Sequence, residues 1–256
     1  MGNTSIDLNS DLGESYGAFQ IGYDDELFPL ISSANVACGF HGGDPRVIAR
    51  TVRLAKEHGV AVGAHPGFLD LVGFGRRNLA ATTEEIRSDT LYQLGAVDAF
   101  CRAEDIPLRH VKAHGALSNM AMKDGEVAHA IASAIAAFDE RLPLVVLPGT
   151  ELQTAAEGAG LPLILEAFAD RAYNANGTLV SRREPGAMIT DPEIAAERML
   201  RLVTEGKVTT IEGVDLALEV QSICTHSDTP GAVEIVRAMR RRFDEAGIAI
   251  RAVGPQ

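Results

Sequence analysis

The sequence has few cysteines, no long apolar run and no cluster of basic residues. Its three cysteines, Cys38, Cys101 and Cys224, are odd in number and far apart. That excludes a disulfide framework and fits a reducing, cytoplasmic compartment, with the thiols expected to be buried rather than nucleophilic. No apolar run approaches the roughly 20 residues that span a bilayer. Met1 to Ser10 carries neither the basic region nor the apolar core of a signal peptide. Met1-Gly2 resembles a myristoylation start, but Ile6 occupies the position that needs Ser or Thr. The formal net charge is -12, and no basic run offsets it, so nucleic acid and anionic membrane are excluded as partners. No Gly-x-x-x-x-Gly-Lys-Ser/Thr loop occurs, so any nucleotide site is not of that kind. There is no internal sequence repeat and no low-complexity segment.

What is present is a regular alternation. In Ala34 to Pro45 a short strand of small and β-branched residues runs into Gly39, Gly42 and Gly43, with His41 among them. Asp44 is a good helix N-cap and Pro45 suits the first helical turn. Val47, Ile48, Val52, Leu54 and Ala55 then recur at helical spacing until Gly59. This strand, loop, helix unit recurs seven times. Strands are expected at Ile6–Asp11, in the stretch beginning at Ala34, and at Val60–Ala64, Arg109–Ala113, Leu144–Leu147, Leu163–Phe168 and Ser222–Thr225. A short hairpin turning near Gly213 and a last strand over Ile248–Val253 are expected besides. A chain of 256 residues with 46% hydrophobic content suits one α/β domain over 1–256. Repeated units of this kind give parallel strands with right-handed crossovers. A closed parallel (β/α) barrel is the expected architecture, with an open doubly wound sheet as the alternative.

Polar residues fall on one parity of each strand and thicken toward its carboxyl end. Strand one carries Asp7, Asn9 and Asp11, strand two Asn35 and then His41, and strand three ends at His65. Strand four gives Lys112 and His114, strand six Glu166 and Asp170, and strand seven His226 and Asp228. In a barrel one parity faces the lumen, so these side chains would converge at one mouth. Packing alone would fill that lumen with Val, Ile and Leu.

Several of these residues have simpler readings. Asp7 and Asn9 suit loop anchoring. His58 suits a helix C-terminus, His129 a solvated helix face, and His110 a surface or packing position. His110 and His114 imitate a zinc motif, but four residues along a strand span roughly 13 Å, too far for one ion. Arg76 and Arg77 read as a solvated pair unless the adjacent glycines aim them at an anion. Two chemistries suit the convergent set. In one, Asp11 with two of His41, His65, His114 and His226 holds a divalent metal. In the other, Lys112, the arginines and helix N-termini bind an anion while His and Asp move protons.

Taken together, the motifs are similar to one family. They are Asp7-Leu-Asn-Ser-Asp-Leu-Gly-Glu-Ser15, the stretch Ala34 to Pro45, Gly63-Ala-His-Pro66 and Gly73-Phe-Gly-Arg-Arg77. Val111-Lys-Ala-His-Gly-Ala-Leu117, Phe168-Ala-Asp-Arg171 and Ile223-Cys-Thr-His-Ser-Asp-Thr-Pro-Gly-Ala232 complete the set. In order, and covering nearly the whole chain, they resemble the LamB/YcsF family. Gly42 stands where that family often has Ala, and Gly67-Phe68-Leu69 replaces a more usual Ser-Tyr-Pro. The resemblance implies a seven-stranded parallel barrel of the glycoside hydrolase/deacetylase type. It implies the role of the A subunit in a 5-oxoprolinase, an ATP-dependent hydrolase that opens 5-oxo-L-proline to L-glutamate with partner subunits B and C.

On that footing Lys112, with Arg76 or Arg77, is expected to steady phosphate or the substrate carboxylate. His114 or His226, oriented by Asp228, is expected to move protons. Asp11, Glu14 and His65 would orient water or bind Mg²⁺ carried with ATP. His41 joins this catalytic group, and Asn9, Asn35, Asp170 and Arg171 join the substrate-binding group. The long loop Ala169 to Thr190 would close over the site. The competing readings are a metal-dependent deacetylase-like hydrolase acting alone, and a non-catalytic subunit that presents the lactam.

Overall fold

The first strand divides the inside of the fold from the outside. In Ser5–Leu12, Ile6, Leu8 and Leu12 lie in the apolar core, while Asp7, Asn9 and Asp11 alternate with them and are equally buried. A strand buried on both faces belongs to a parallel sheet with helices outside and a filled lumen within. The computed structural model describes residues 5–254. Met1-Gly2, with its myristoylation-like start, and the first four residues of the segment read for a signal peptide lie outside the described residues.

The elements begin with β1 (Ser5–Leu12), α1 (Asp24–Leu27), a 3-10 turn (Phe28–Leu30), β2 (Ser33–Ala37), α2 (Pro45–His58) and β3 (Ala61–His65). There follow α3 (Thr83–Ala103), β4 (Leu108–Val111), α4 (Gly115–Ala121), α5 (Gly125–Asp139), β5 (Leu144–Val146) and α6 (Glu151–Gly158). Then come β6 (Leu163–Phe168), α7 (Pro192–Glu205), β7 (Lys207–Thr209), β8 (Asp215–Ala217), β9 (Ser222–Cys224), α8 (Ala232–Glu245) and β10 (Ala249–Ile250). The parallel strands run β1-β2-β3-β4-β5-β6-β9, and β9 pairs again with β1, Asp7 opposite Ser222, so the barrel closes. The open doubly wound sheet is thereby excluded. β10 adds two residues beside the start of β1. β7 and β8 form the expected hairpin, with Gly213 at φ 79° in its turn.

Local chemistry accounts for the helix ends. The Asp44 carboxylate accepts from the N–H groups of Arg46 and Val47, and Gly59 closes α2 in the left-handed region at φ 66°. Thr82 and Glu85 form a capping box on α3. Asp191 caps α7 in the same way as Asp44 caps α2. α4 is an element the sequence pattern does not announce. It starts at His114 with no side-chain cap and a glycine at φ 54°, so it lacks the usual starting signal. No helix among the described residues is long and apolar enough to cross a membrane.

The lumen is held by hydrogen bonds. Asp7 accepts from the hydroxyls of Ser32, Ser33 and Ser222. The Asn9 amide donates to Glu166 and Ser222, and the Asn35 amide donates to Asn9 and Asp11. His110 is part of this lattice rather than of the surface, its Nε2–H donating to Asn35 Oδ1 at 2.7 Å. Gly63 on β3 makes room for it, since a Cβ there would stand 2.1 Å from His110 Nε2. Gly63→Ala is therefore expected to lower stability by about 1–3 kcal/mol through overpacking. Gly95→Ala, in α3 with nothing within 4 Å of the new methyl, should raise it by about 0.5–1 kcal/mol. Urea denaturation of the two variants checks both signs.

Candidate active site

Lys112 follows β4 and points up the lumen. Its Nζ lies 2.9 Å from Glu166 Oε1, 3.2 Å from Asp11 Oδ1, 3.0 Å from Cys224 Sγ and 3.4 Å from Asn9 Oδ1. Burial disfavours its charge, but Asp11, Cys224 and Glu166 outweigh that and hold the ammonium well above its ordinary range. Burial likewise works to raise Asp11, yet His65 and Lys112 keep its carboxylate well below the usual range. Glu166 goes the other way, pushed up by burial despite Lys112. Of the two acids beside Lys112, Asp11 is thus the one held ionised.

A second group lies beside Asp11. Glu14 comes from the turn after β1, His41 from the glycine-rich turn after β2, His65 from the end of β3 and His114 from just past β4. All four are buried. Glu14 Oε1 is 3.2 Å from His41 Nε2 and 3.4 Å from His114 Nδ1, and His114 Nδ1 is 3.0 Å from His65 Nε2. The rings of His41 and His114 stack at 3.7 Å, within 3° of parallel. Burial raises Glu14 well above its ordinary range, with the charges of Asp11 and Asp228 adding to it. Burial and neighbouring cations lower His41 and His114 well below theirs. The glycine-bearing loop presses on these rings, because a Cβ on Gly75 would meet His114 at 2.7 Å and His41 at 2.8 Å. Phe74, a non-glycine residue at φ 54°, aims its carbonyl at His114 Nε2, 2.8 Å away.

Across the mouth stands His226. Its Nδ1 is 2.8 Å from Asp170 Oδ2, which also accepts from the Thr229 hydroxyl at 2.6 Å, and its ring stacks on Phe168. Although burial opposes it, His226 and Thr229 pull Asp170 down to about 2. Asp11, His65, Lys112, His114 and His226 line one cavity of about 400 Å³, rimmed by Arg76, Arg171, Arg182 and Arg183. The loop over residues 169–190 forms one wall, folded on itself through Arg171–Met188 and Tyr173–Leu179 bridges. Arg171 donates to the Val180 carbonyl, and its Nε is buried without a partner.

Several expected roles change. Asp228 does not orient an imidazole. It pairs with Arg76 at 2.8 Å, and Asp170 holds His226. Arg77 turns away from the cavity, its exposed side chain bound to Asp70. Asn9 and Asn35 lie beneath the cavity in the lumen lattice and do not line it. His41 backs His114 rather than lining the cavity. The parity of strand six includes Glu166 but does not mark it as the partner of Lys112. Cys224, expected to be a buried thiol close to the site, touches the same ammonium. The ring of Phe168 and the carbonyl of Phe74 carry no signal in the sequence.

Acids, imidazoles and a lysine gathered at the carboxyl ends of closed parallel strands are the layout of a β/α-barrel protein with its chemistry at that face. The chain belongs to the LamB/YcsF family, whose model matches residues 6–256. It is 58% identical over 247 residues to the A subunit of 5-oxoprolinase from a strain of Thermus thermophilus, covering 96% of this chain and 99% of that one. With the 5-oxoprolinase A subunit of Symbiobacterium thermophilum it shares 52% identity over 249 residues, covering 97% and 95%. The crystal structure of the lactam utilization protein from Thermus thermophilus superposes with a TM-score of 0.94 at 57% identity, over 97% of this chain and 100% of the other.

The depressed Asp170 gives a pH test. A carboxylate lowered on folding stabilises the protein above its unfolded value, and that stability is lost as pH falls through the folded value. Against the ordinary 3.8, a value of about 2 corresponds to about 2 kcal/mol. Asp170→Asn should be less stable than wild type by that order at neutral pH. The gap should narrow as pH drops from about 4 toward 2, followed by urea denaturation at each pH.

Proposed function

We propose that the chain serves as the A subunit of a 5-oxoprolinase, opening the cyclic amide of 5-oxo-L-proline to L-glutamate with hydrolysis of ATP. Partner subunits B and C complete the enzyme, and Mg²⁺ arrives with the nucleotide. The observation that carries this reading is the nearly full-length identity, up to 58%, with proteins bearing that subunit's name. The cavity adds a chemical reason. Its floor holds an ionised acid, a buried ammonium and imidazoles, and its rim holds four arginines. That suits a small anionic substrate meeting phosphate.

A lactam is resonance-stabilised, and ATP supplies the drive. Phosphorylation of the amide oxygen makes the ring carbon electrophilic. Water then adds there and the ring C–N bond breaks, leaving γ-glutamyl phosphate, which a second water hydrolyses to L-glutamate and inorganic phosphate. On this reading Arg76 and Arg171 bind the substrate carboxylate or phosphate, and Lys112 balances charge that builds beside Asp11. His226, fixed by Asp170, protonates the departing nitrogen. The loop over 169–190 shields the reaction from solvent.

The test is ATP-dependent glutamate release by the chain with and without subunits B and C. Lys112→Ala and His226→Ala should each lower release by about a hundredfold or more in the full assembly. Undiminished release would leave the chain with the sole task of presenting the lactam. Hydrolysis by the chain alone, without ATP, would replace the proposal with an independent hydrolase of the deacetylase kind.

A further inference from the structure

Two imidazole lone pairs face each other in the buried group beside Asp11. His65 Nδ1 lies 2.7 Å from the Lys112 carbonyl, and His114 Nε2 lies 2.8 Å from the Phe74 carbonyl. A carbonyl oxygen only accepts, so each of these nitrogens carries hydrogen. In neutral rings the opposite nitrogens, His65 Nε2 and His114 Nδ1, are then bare, and they stand 3.0 Å apart. Two carboxyl groups flank these nitrogens. Glu14 Oε1 is 3.4 Å from His114 Nδ1, and Asp11 Oδ2 is 3.4 Å from His65 Nε2. Bare acceptors at this range repel, and water has little access to relieve them, since all four residues are buried. A positive centre belongs between them.

The spacing suits an ion. Ligands about 2.0–2.1 Å from a tetrahedral zinc stand about 3.3 Å from one another. The distances of 3.0 and 3.4 Å fall on either side of that value. We propose that Glu14, His65 and His114 bind a first-row transition-metal ion such as zinc. Two imidazoles favour such an ion over magnesium.

His41 brings its donor atom within 4.8 Å of the other three, but it is not a ligand. Its ring lies parallel to that of His114, within 3° and 3.7 Å away, and in-plane lone pairs of stacked parallel rings do not meet at one ion. Its Nε2–H instead donates to Glu14 Oε1 at 3.2 Å, which makes His41 a positioning residue. The carbonyls of Lys112 and Phe74 orient the two ligand rings in the same manner. This site is a property of the chain by itself and does not rest on the lactam reading.

The test uses the full chain, freed of metal with a chelator and titrated with Zn²⁺, Co²⁺ and Mg²⁺. Stoichiometric Zn²⁺ binding is expected, with visible absorption bands from Co²⁺ and a raised Tm with either ion. Excess Mg²⁺ should compete with neither. His114→Gln and Glu14→Gln should each weaken binding by more than about a hundredfold, and His41→Asn by about tenfold. Should the variants not fold, the Co²⁺ spectrum and Tm of the unaltered chain decide alone. Absence of saturable Zn²⁺ binding and of Co²⁺ bands would overturn the proposal, leaving a proton between the rings. So would binding that survives both ligand substitutions unchanged.

Discussion

A lysine ammonium sealed inside a barrel has to be matched where it stands, and the lumen is arranged around that need. Lys112 is met by Asp11 and Glu166 at salt-bridge distance and by Asn9 and Cys224 beside them. Removing one partner of such a set strands the rest without compensation, at a cost of about 3–5 kcal/mol. The set therefore constrains the strands that carry it. Asn9 binds Glu166, Ser222 and Asn35, and through them β1, β2, β6 and β9 are tied across the lumen. The apolar shell outside supplies the burial energy, while the polar interior fixes which side chains reach the top.

That division explains why the barrel is legible from sequence. Along β1, Ile6 and Leu8 alternate with Asp7 and Asn9, and only a strand lined by helices outside and polar groups inside has a use for both. Helix starts are readable where a side chain caps them, at Asp44, Thr82 and Asp191. α4 lacks such a cap and escapes the reading. Closure itself rests on β9 meeting β1, a contact between the two ends of the chain that no local pattern reports.

The site is legible as a collection and less so as a set of pairs. Asp11, His65, Lys112, His114 and His226 do converge, because inward parity places them all. Pairing follows distance across the mouth instead. Asp228 is two residues from His226 in sequence, yet its carboxylate meets Arg76, and the imidazole takes Asp170 from another strand. Arg76 and Arg77 are adjacent, but one reaches the cavity and the other lies exposed and holds the buried Asp70. Backbone acceptors such as the Phe74 carbonyl have no signature in residue identity at all.

Asp170 both anchors an imidazole and closes the base of the loop over 169–190. Its carboxylate fixes His226 and Thr229, while its carbonyl accepts from Ile189 at the loop's far end. The two stems of the loop are thus joined at the residue that holds the ring. A displacement of that far stem would therefore pull on the peptide of the residue that holds the imidazole in place.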